Sequence, residues 1–309
     1  MQYDSITVVV PTCNRPVFLA QALASVFESF NESVQKIVIV NNGHIPVKCL
    51  PKENKIPIEV ISCSEDFAGG VRNIGLTRVG TKYVHFLDDD DMVSGSFYKN
   101  GLKLLINKPE FVGCFARRKI LWEVGDNKKY VSLKESFRKK DIFSSMDFLG
   151  KDPTEPTSGY IWRTDHVRAA GGFDACLPAR QDFDLYIRIS RRGMIIYNQK
   201  SYFIHRKHTS ERISRNSNAK REALNLIYEK VLASEEFKTL MWHQKEMVFF
   251  RFFVEFLSIG GLTKRIGYMR GVLFLGVAIV LETKTAATFL KKCSKSVIVN
   301  RVGDLNSQG

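Results

Sequence analysis

Short apolar runs alternate with amphipathic segments over the first 90 residues, and this alternation restricts the fold more than any other feature of the chain. Apolar residues at helical spacing follow Pro16, and a second helix is predicted from Gly69 to about Arg78. Strands that are apolar on both faces and separated by helices predict an α/β fold with a mostly parallel central sheet flanked by helices. Four runs have the length and β-branched content of buried strands: ITVVV (6–10), KIVIV (36–40), IPIEVIS (56–62) and KYVHFL (82–87).

Polar side chains come directly after three of these runs. In open α/β sheets, ligands bind at the carboxyl ends of the strands. We therefore expect a functional site at this edge of the sheet. The polar groups are Thr12-Cys13-Asn14-Arg15, Asn41-Asn42 and Asp88–Asp91.

The run Asp88–Asp91 is the strongest local signal, because four adjacent carboxylates repel one another unless a cation lies among them. If the strand continued in an extended conformation, Asp88 and Asp90 would point to one side. They could then share Mg²⁺ or Mn²⁺ with phosphate oxygens. A solvated acidic turn or a helix N-terminus is the alternative. The apolar run before the acids favours the metal site.

Two further segments contain residues suited to catalysis or phosphate binding. One acid of Gln181-Asp182-Phe183-Asp184-Leu185 could act as a general base, although an Asp in a first helical turn is more often a cap or a dipole partner. Arg72 follows Gly69-Gly70 at a predicted helix N-terminus, a position that suits phosphate, or it is simply a surface arginine.

The segment from His205 to Arg215 is basic and contains two histidines. It runs from His205-Arg206-Lys207-His208 to Arg212 and Arg215, and as a flexible loop it could fold over a pyrophosphate and neutralise it as it leaves. The imidazole of His208 could also bind the metal, although a lone histidine is more often structural or exposed. Both possibilities remain open from the residues alone.

The net charge of +14 is concentrated in three windows. Residues 99–140 contain 12 basic and 4 acidic residues, 188–222 contain 10 and 2, and 263–301 contain 8 and 1. Such a polarised surface suggests anionic partners such as phosphates, nucleic acid or acidic lipid. A nucleic-acid-binding protein is one alternative, but it leaves Asp88–Asp91 unexplained and lacks an RRM, KH or zinc-finger pattern.

Targeting and redox features predict a soluble or peripheral protein in the cytoplasm. The start of the chain has no signal-peptide pattern. The apolar stretches Val248–Leu262 and Gly271–Leu281 fall short of the roughly 18–20 residues that a membrane span needs. The 6 cysteines lack zinc spacing and read as reduced thiols.

Together these features resemble the family 2 inverting glycosyltransferases, which have the Rossmann-like GT-A fold. The chain shows neither the QxxRW motif nor the several spanning helices of processive polysaccharide synthases, and it resembles the non-processive, bacterial surface-glycan type. Five motifs of the family occur in order: VVVPTCNR (8–15) as opening strand and nucleotide loop, GVRNIG (70–75) as ARNxG, FLDDDD (86–91) as DxD, GGFD (171–174), and QDFDL (181–185) as the base motif.

The resemblance implies a role for each motif residue. The nucleoside of a UDP-sugar donor would be held by Pro11, Thr12, Asn14 and Arg15, with Arg72 near the base or the phosphates. Asp88 and Asp89 would contact the donor, Asp90 and His208 the Mn²⁺ or Mg²⁺ ion, and Asp182 would be the catalytic base. The second strand of the family usually ends in an Asp that accepts a hydrogen bond from uracil. Asn41 stands there instead, and its amide can accept that bond without charge.

The implied reaction is the metal-assisted transfer of a sugar, with inversion, to a hydroxyl of a glycan or lipid-linked acceptor. It would serve cell-surface polysaccharide or lipopolysaccharide synthesis. We expect a catalytic domain over 1–217, with a nucleotide-binding half (1–98) and an acceptor-binding half (99–217), and a helical C-terminal extension over 218–309.

The C-terminal region combines aromatic helices with basic residues. Such helices can bind acidic lipid at the cytoplasmic face of the membrane, or pack on the catalytic domain or on a second copy of the chain. No nucleic-acid partner is expected. The remaining alternatives are a phospholipid-binding protein with a non-catalytic acidic turn and a metal-dependent phosphoryl-transfer enzyme, although Met92 stands where one such phosphatase class has Thr or Val.

Overall fold

A ten-stranded sheet is the framework of the chain. The computed structural model describes residues 5–29, 33–48, 56–124, 127–132, 141–150, 155–208 and 216–259. The strands are β1 (Ile6–Thr12), β2 (Val34–Asn41), β3 (Ile58–Ser62), β4 (Tyr83–Phe86), β5 (Met92–Val93), β6 (Phe111–Val124), β7 (Asn127–Ser132), β8 (Ile142–Phe143), β9 (Tyr160–Arg163) and β10 (Met194–Lys207). The helices are α1 (Pro16–Glu28), α2 (Ala68–Thr77), α3 (Phe97–Leu105), α4 (Ser145–Gly150), α5 (Thr164–Ala169), α6 (Gln181–Ser190), α7 (Ser217–Ala233), α8 (Glu235–Thr239) and α9 (Trp242–Ile259).

The strand order is β3-β2-β1-β4-β9-β6-β10-β5, with β7 paired to β6 and β8 to β10. Strands β1 to β4 pair in parallel. Strand β9 is antiparallel to both β4 and β6, and β6 is parallel to β10. Strands β1, β2, β3, β4, β6 and β10 therefore all end at the same edge. The predicted α/β fold with a mostly parallel sheet is confirmed.

The first strand–helix–strand unit forms where the pattern predicts it. Val8, Val9 and Val10 are fully buried in β1. Pro16 starts α1, because its fixed φ suits the first helical position. The predicted apolar face of α1 is buried through Leu19, Ala22, Leu23 and Val26. Burial of this size accounts for much of the stabilisation of such a unit, at about 1.5–3 kcal/mol for each large aliphatic side chain.

Strand β3 departs from the prediction of a buried strand. It pairs only with β2 and lies at the end of the strand order, and Val60 is 41% exposed. An edge strand keeps one side open to solvent, so an apolar sequence did not guarantee burial here.

The chain divides into two compact units, residues 1–223 and 224–309. In the second unit Ser234 caps α8 by accepting a hydrogen bond at Oγ from Phe237 N–H (3.2 Å). No helix in the described part of the chain is long and apolar enough to cross a membrane. Residues 260–309, which contain the stretch Gly271–Leu281 and the basic window 263–301, lie outside the described residues. The domain boundary expected at residue 217 stays a prediction.

Candidate active site

The run Asp88–Asp91, hereafter the acid turn, lies at the carboxyl end of β4. The chain does not stay extended here, because Asp91 N–H donates to Asp88 O (3.1 Å) and reverses the chain before β5. The reversal distributes the four carboxylates among several polar partners, and Arg15 contacts both Asp89 and Asp90. Each carboxylate is therefore hydrogen-bonded or ion-paired, which reduces their mutual repulsion.

Asp89 and Asp90 are tied to the loop after β1. Thr12 Oγ donates to Asp89 Oδ2 (2.7 Å), and Arg15 reaches Asp89 Oδ1 (3.2 Å) and Asp90 Oδ2 (3.5 Å). Burial raises the pKa of Asp89 to about 6, against the opposing effects of Arg15 and Thr12. The predicted residues Thr12, Arg15, Asp89 and Asp90 thus come together in one cluster.

Asp91 is fully buried and is held by groups from two other segments. Burial acts to raise its pKa, but His205 and hydrogen bonds from His205, Ser158 and the Arg206 backbone outweigh burial and leave the pKa below its usual value. The His205 Nδ1 to Asp91 Oδ1 distance is 3.2 Å, and Arg206 N–H donates to the same oxygen (3.1 Å).

Ser158 is hydrogen-bonded to the acid turn, and the sequence did not indicate this role. Its Oγ accepts a hydrogen bond from Asp88 N–H (3.1 Å), and its carbonyl contacts His85 Nε2 (3.0 Å). Burial lowers the pKa of His85 to about 4, so the ring is neutral at neutral pH. Nε2–H then donates to Ser158 O, and Nδ1 accepts from Tyr98 O–H (3.0 Å). The polar His85 within KYVHFL was the only sequence signal for this network.

The first residues of the basic segment, 205–207, lie in a strand and not in the flexible loop that the sequence predicted. Residues 205–207 belong to β10, and their pairing to β6 holds the backbone. Arg206 lies over the ring of Phe18 at 4.8 Å and donates from Nε to Asp90 O (3.1 Å). His208 Nε2 lies 3.0 Å from Asp90 Oδ2. Arg212 and Arg215 lie outside the described residues.

The acid turn has the composition of a divalent-cation site. Oxygen atoms of Asp88, Asp90 and Asp91 lie within 4.8 Å of one another. His208 lies beside Asp90, as the predicted pairing of these two residues requires. Carboxylate oxygens with an imidazole are donors that suit Mg²⁺ or Mn²⁺. The donor set therefore fits the implied ion, with Asp91 as a member that the prediction did not include.

Arg72 joins the acid turn to the predicted base. Its NH2 lies 2.5 Å from Asp88 Oδ1, and its guanidinium lies 5.4 Å from the ring centroid of Phe173. Asp182 lies in the first turn of α6 and accepts at Oδ1 from Phe183 N–H (2.8 Å). Burial raises the pKa of Asp182, and Asp88 adds to this, while the Phe183 N–H, Arg72 and Arg180 oppose it. A raised pKa suits a general base working near neutral pH.

The GVRNIG and GGFD segments lock together. Asn73 donates from Nδ2 to Phe173 O (2.7 Å) and accepts at Oδ1 from Phe173 N–H (2.9 Å). Gly171 and Gly172 have φ of 83° and 67°, a region where side chains are disfavoured. These two hydrogen bonds hold Phe173 against the guanidinium of Arg72 and fix the start of the segment that leads to α6.

A cleft lies beside the ends of β1 and β2. Four predicted nucleoside-binding residues line it, and Pro11 does not. Asn14 has φ of 55° and accepts at Oδ1 from Ile45 N–H (2.9 Å), which fastens the loop after β2. The lining residues are Thr12, Asn14, Arg15, Pro16, Leu19, Asn41, Ile45, Pro46 and Val47.

Asn41 is engaged by its own loop. Its Oδ1 accepts from Gly43 N–H (3.1 Å), and its Nδ2 donates to Ile45 O (3.0 Å). One side-chain atom must accept and the other must donate, which an amide can do and a carboxylate cannot. The loop therefore explains why this position is Asn.

Replacing Asn41 with Asp is expected to lower the free energy of unfolding by about 1–3 kcal/mol, because a carboxylate oxygen would face Ile45 O in a buried position. This corresponds to a melting temperature lower by roughly 2–4 °C for each kcal/mol, measured by thermal unfolding.

Asn216→Asp is the matched control, because Asn216 uses only Oδ1, which accepts from Asn218 and Ala219 N–H. Asp can replace it there without losing a donor. An Asn41→Asp variant as stable as the Asn216→Asp control would contradict the explanation.

Comparison with known proteins agrees with this geometry. The sequence model of glycosyl transferase family 2 matches residues 7–160. No curated protein matches the chain significantly.

Solved structures with this fold include TarS of S. aureus, at 16% identity and a TM-score of 0.61, over 82% of this chain and 43% of TarS. TarS 1-349 in complex with UDP-GlcNAc aligns at 18% identity and a TM-score of 0.60, over 82% of this chain and 72% of that chain. GalNAc-T7 with UDP, GalNAc and Mn²⁺ aligns at 13% identity and a TM-score of 0.54, over 77% and 51%. At these identities the structures establish the fold. Residues 7–160 therefore form a glycosyl transferase family 2 domain, and the structural similarity assigns the chain the GT-A fold.

Proposed function

We propose that the chain is an inverting glycosyltransferase that moves a sugar from a UDP-sugar to a hydroxyl of a glycan or lipid-linked acceptor. The observation that carries this proposal is the cluster in which Arg72 contacts Asp88 of the acid turn and interacts with Asp182. A donor site and a candidate base thereby lie side by side. The solved complexes of TarS 1-349 with UDP-GlcNAc and of GalNAc-T7 with UDP, GalNAc and Mn²⁺ support a UDP-sugar donor.

Asp88, Asp90, Asp91 and His208 would hold a Mn²⁺ or Mg²⁺ ion. When bound, such an ion neutralises charge on the diphosphate as the nucleotide leaves. Arg15 is 31% exposed beside Asp89 and Asp90 and would add positive charge at the same place. A preorganised set of charges at this point stabilises the transition state more than the ground state.

Asp182 would remove the proton from the acceptor hydroxyl. The hydroxyl oxygen then forms a bond to the anomeric carbon, and the bond from that carbon to the diphosphate oxygen breaks with its electron pair leaving on UDP. Attack opposite to the leaving group inverts the configuration, as in inverting glycosidases. The raised pKa of Asp182 matches this role.

The contacts of the acid turn and the family match argue against the other functions considered. A nucleic-acid-binding or phospholipid-binding protein has no use for a buried acid turn whose carboxylates are held by Arg15, Arg72 and His205. A phosphoryl-transfer enzyme disagrees with the family match. Cell-surface or lipopolysaccharide synthesis, membrane contact at the cytoplasmic face, and a homo-oligomer stay predictions.

The test uses slow hydrolysis of the donor, which needs no acceptor. The full chain is incubated with Mn²⁺ and a panel of UDP-sugars, and the first sugar released is followed by proton NMR. We expect one α-linked donor to release the β-anomer before mutarotation. Release of the α-anomer would disprove inversion, and release of UMP and sugar phosphate would disprove glycosyl transfer.

A further inference from the structure

Two basic windows of the sequence form neighbouring strands. Strand β6 lies within 99–140 and β10 within 188–222, and their final segments, 117–122 and 202–207, pair in register. On its other side β10 pairs with β5, which directly follows the acid turn. The two windows thus form one wall beside the acid turn, hereafter the β6–β10 wall.

One side of the wall is directed toward the base helix. Alternate residues Arg118, Ile120 and Trp122 share this side with their strand partners Phe203, His205 and Lys207. Arg118 Nε lies 3.2 Å from Glu155 Oε2, and Tyr186 of α6 donates to Glu155 O (3.3 Å). His205 on the same side contacts Asp91.

Trp122 lies at the outer end of this side. Its neighbours Ile120 and Leu121 are buried, whereas Trp122 is 43% exposed. Lys207 Nζ lies 4.5 Å from the centroid of the indole. Trp122 is two residues beyond Ile120, which puts it about 7 Å further along the strand than the His205–Asp91 contact.

We propose that Trp122 and Lys207 form a subsite for the acceptor, which binds a sugar ring that carries an anionic group, a carboxylate or a phosphate. Large aromatic side chains offer a flat apolar surface for the C–H face of a sugar ring, and the ammonium group pairs with the anion. The subsite would lie about 7 Å along the strand from the level of the His205–Asp91 contact. Only the identification of this ligand as the acceptor rests on the proposed function.

The experiment follows the indole N–H resonances of the 3 tryptophans in the ¹⁵N-labelled full chain. The probes are methyl β-glucuronide and methyl β-glucoside, which differ only in the carboxylate. We expect a saturable shift of Trp122, assigned with Trp122→Phe, and an affinity for the glucuronide about three- to fivefold higher, as an exposed ion pair contributes. Lys207→Met should remove that preference and keep the weaker binding.

Trp242 is the internal control, because it is 70% exposed, and buried Trp162 is the reference. No shift at Trp122, an equal shift at Trp242, or equal affinity for both sugars would overturn the proposal. UDP binding with Mn²⁺ is measured in parallel on the wild type and on Trp122→Ala. If both bind UDP normally and no sugar shifts Trp122, only the subsite is disproved. If the wild type binds no nucleotide, the proposed function is disproved.

Discussion

Replacing Asp182 with Asn is expected to reduce transfer by about 10²–10⁴-fold, the usual contribution of a general base. The amide keeps the acceptor oxygen that receives Phe183 N–H, so the first turn of α6 is preserved. It cannot take a proton from the acceptor. UDP binding, measured by calorimetry with Mn²⁺, should change little, because the donor contacts belong to other residues.

The pH dependence of the wild-type rate gives a second readout of the same residue. Only ionised Asp182 can accept a proton, so the rate is full above its pKa and falls as the pH drops through it. Because burial raises this pKa, the acidic limb should lie above the usual range of an aspartate. The residual rate of Asp182→Asn should lack that limb.

Asp184→Asn is the matched control on the same helix. Asp184 is buried and pairs with Arg188 through NH2 (2.5 Å), so its loss should lower the melting temperature. The transfer rate per folded molecule should stay within a fewfold of wild type. If Asp184→Asn lost transfer and Asp182→Asn kept it, the base would be assigned to the wrong carboxylate.

The first half of the fold was predictable because its strands are buried on both faces. Val8, Val9 and Val10 are all buried. A short run of consecutive apolar residues is typical of a central strand that is covered on both faces. Motif order then located Asp88–Asp91 and Asp182 at one edge of the sheet. The sequence pattern was less informative for β6 and β10, where Arg117, Arg118, Lys119 and Lys207 interrupt the apolar residues and the strand partners are some 80 positions apart.

The contacts inside the site were not predictable, since they depend on how separate segments meet. The sequence left open whether the four acids continue the strand or form a turn, and the hydrogen bond from Asp91 N–H to Asp88 O shows that they turn the chain. Ser158 has no motif, and only the fold brings it to Asp88. The sequence predicted only that Asn41 accepts a hydrogen bond from the nucleotide base, and did not reveal its two hydrogen bonds within its own loop.

Replacing Asp90 with Ala is expected to abolish the stabilisation of the protein by UDP and Mn²⁺. Asp90 Oδ2 is the oxygen nearest His208, and it also faces Arg15. Loss of residues that merely support a metal ligand weakens binding about 10–100-fold, so loss of a ligand should cost at least as much. At a nucleotide concentration 100 times Kd, the wild type gains about 2.7 kcal/mol. This gain should appear as a rise in melting temperature of roughly 5–10 °C.

The quantity to compare is the rise caused by the ligand, not the melting temperature of the unliganded protein. Removing Asp90 relieves repulsion from Asp88 and Asp89 but leaves Arg15 and His208 with one carboxylate fewer, so the unliganded stability can move either way. Asp165→Ala is the control, because Asp165 is exposed and lies far from the acid turn. The neighbouring Thr164 N–H donates to Lys82 O, at the end of β4 opposite to the acid turn. Its UDP-dependent rise in melting temperature should equal that of the wild type.

Two results would mean that UDP binds without an ion at the acid turn. One is a full rise in melting temperature in Asp90→Ala, and the other is an equal rise in the wild type after chelation of Mn²⁺. Charge neutralisation of the diphosphate would then fall to Arg15 and to other basic residues.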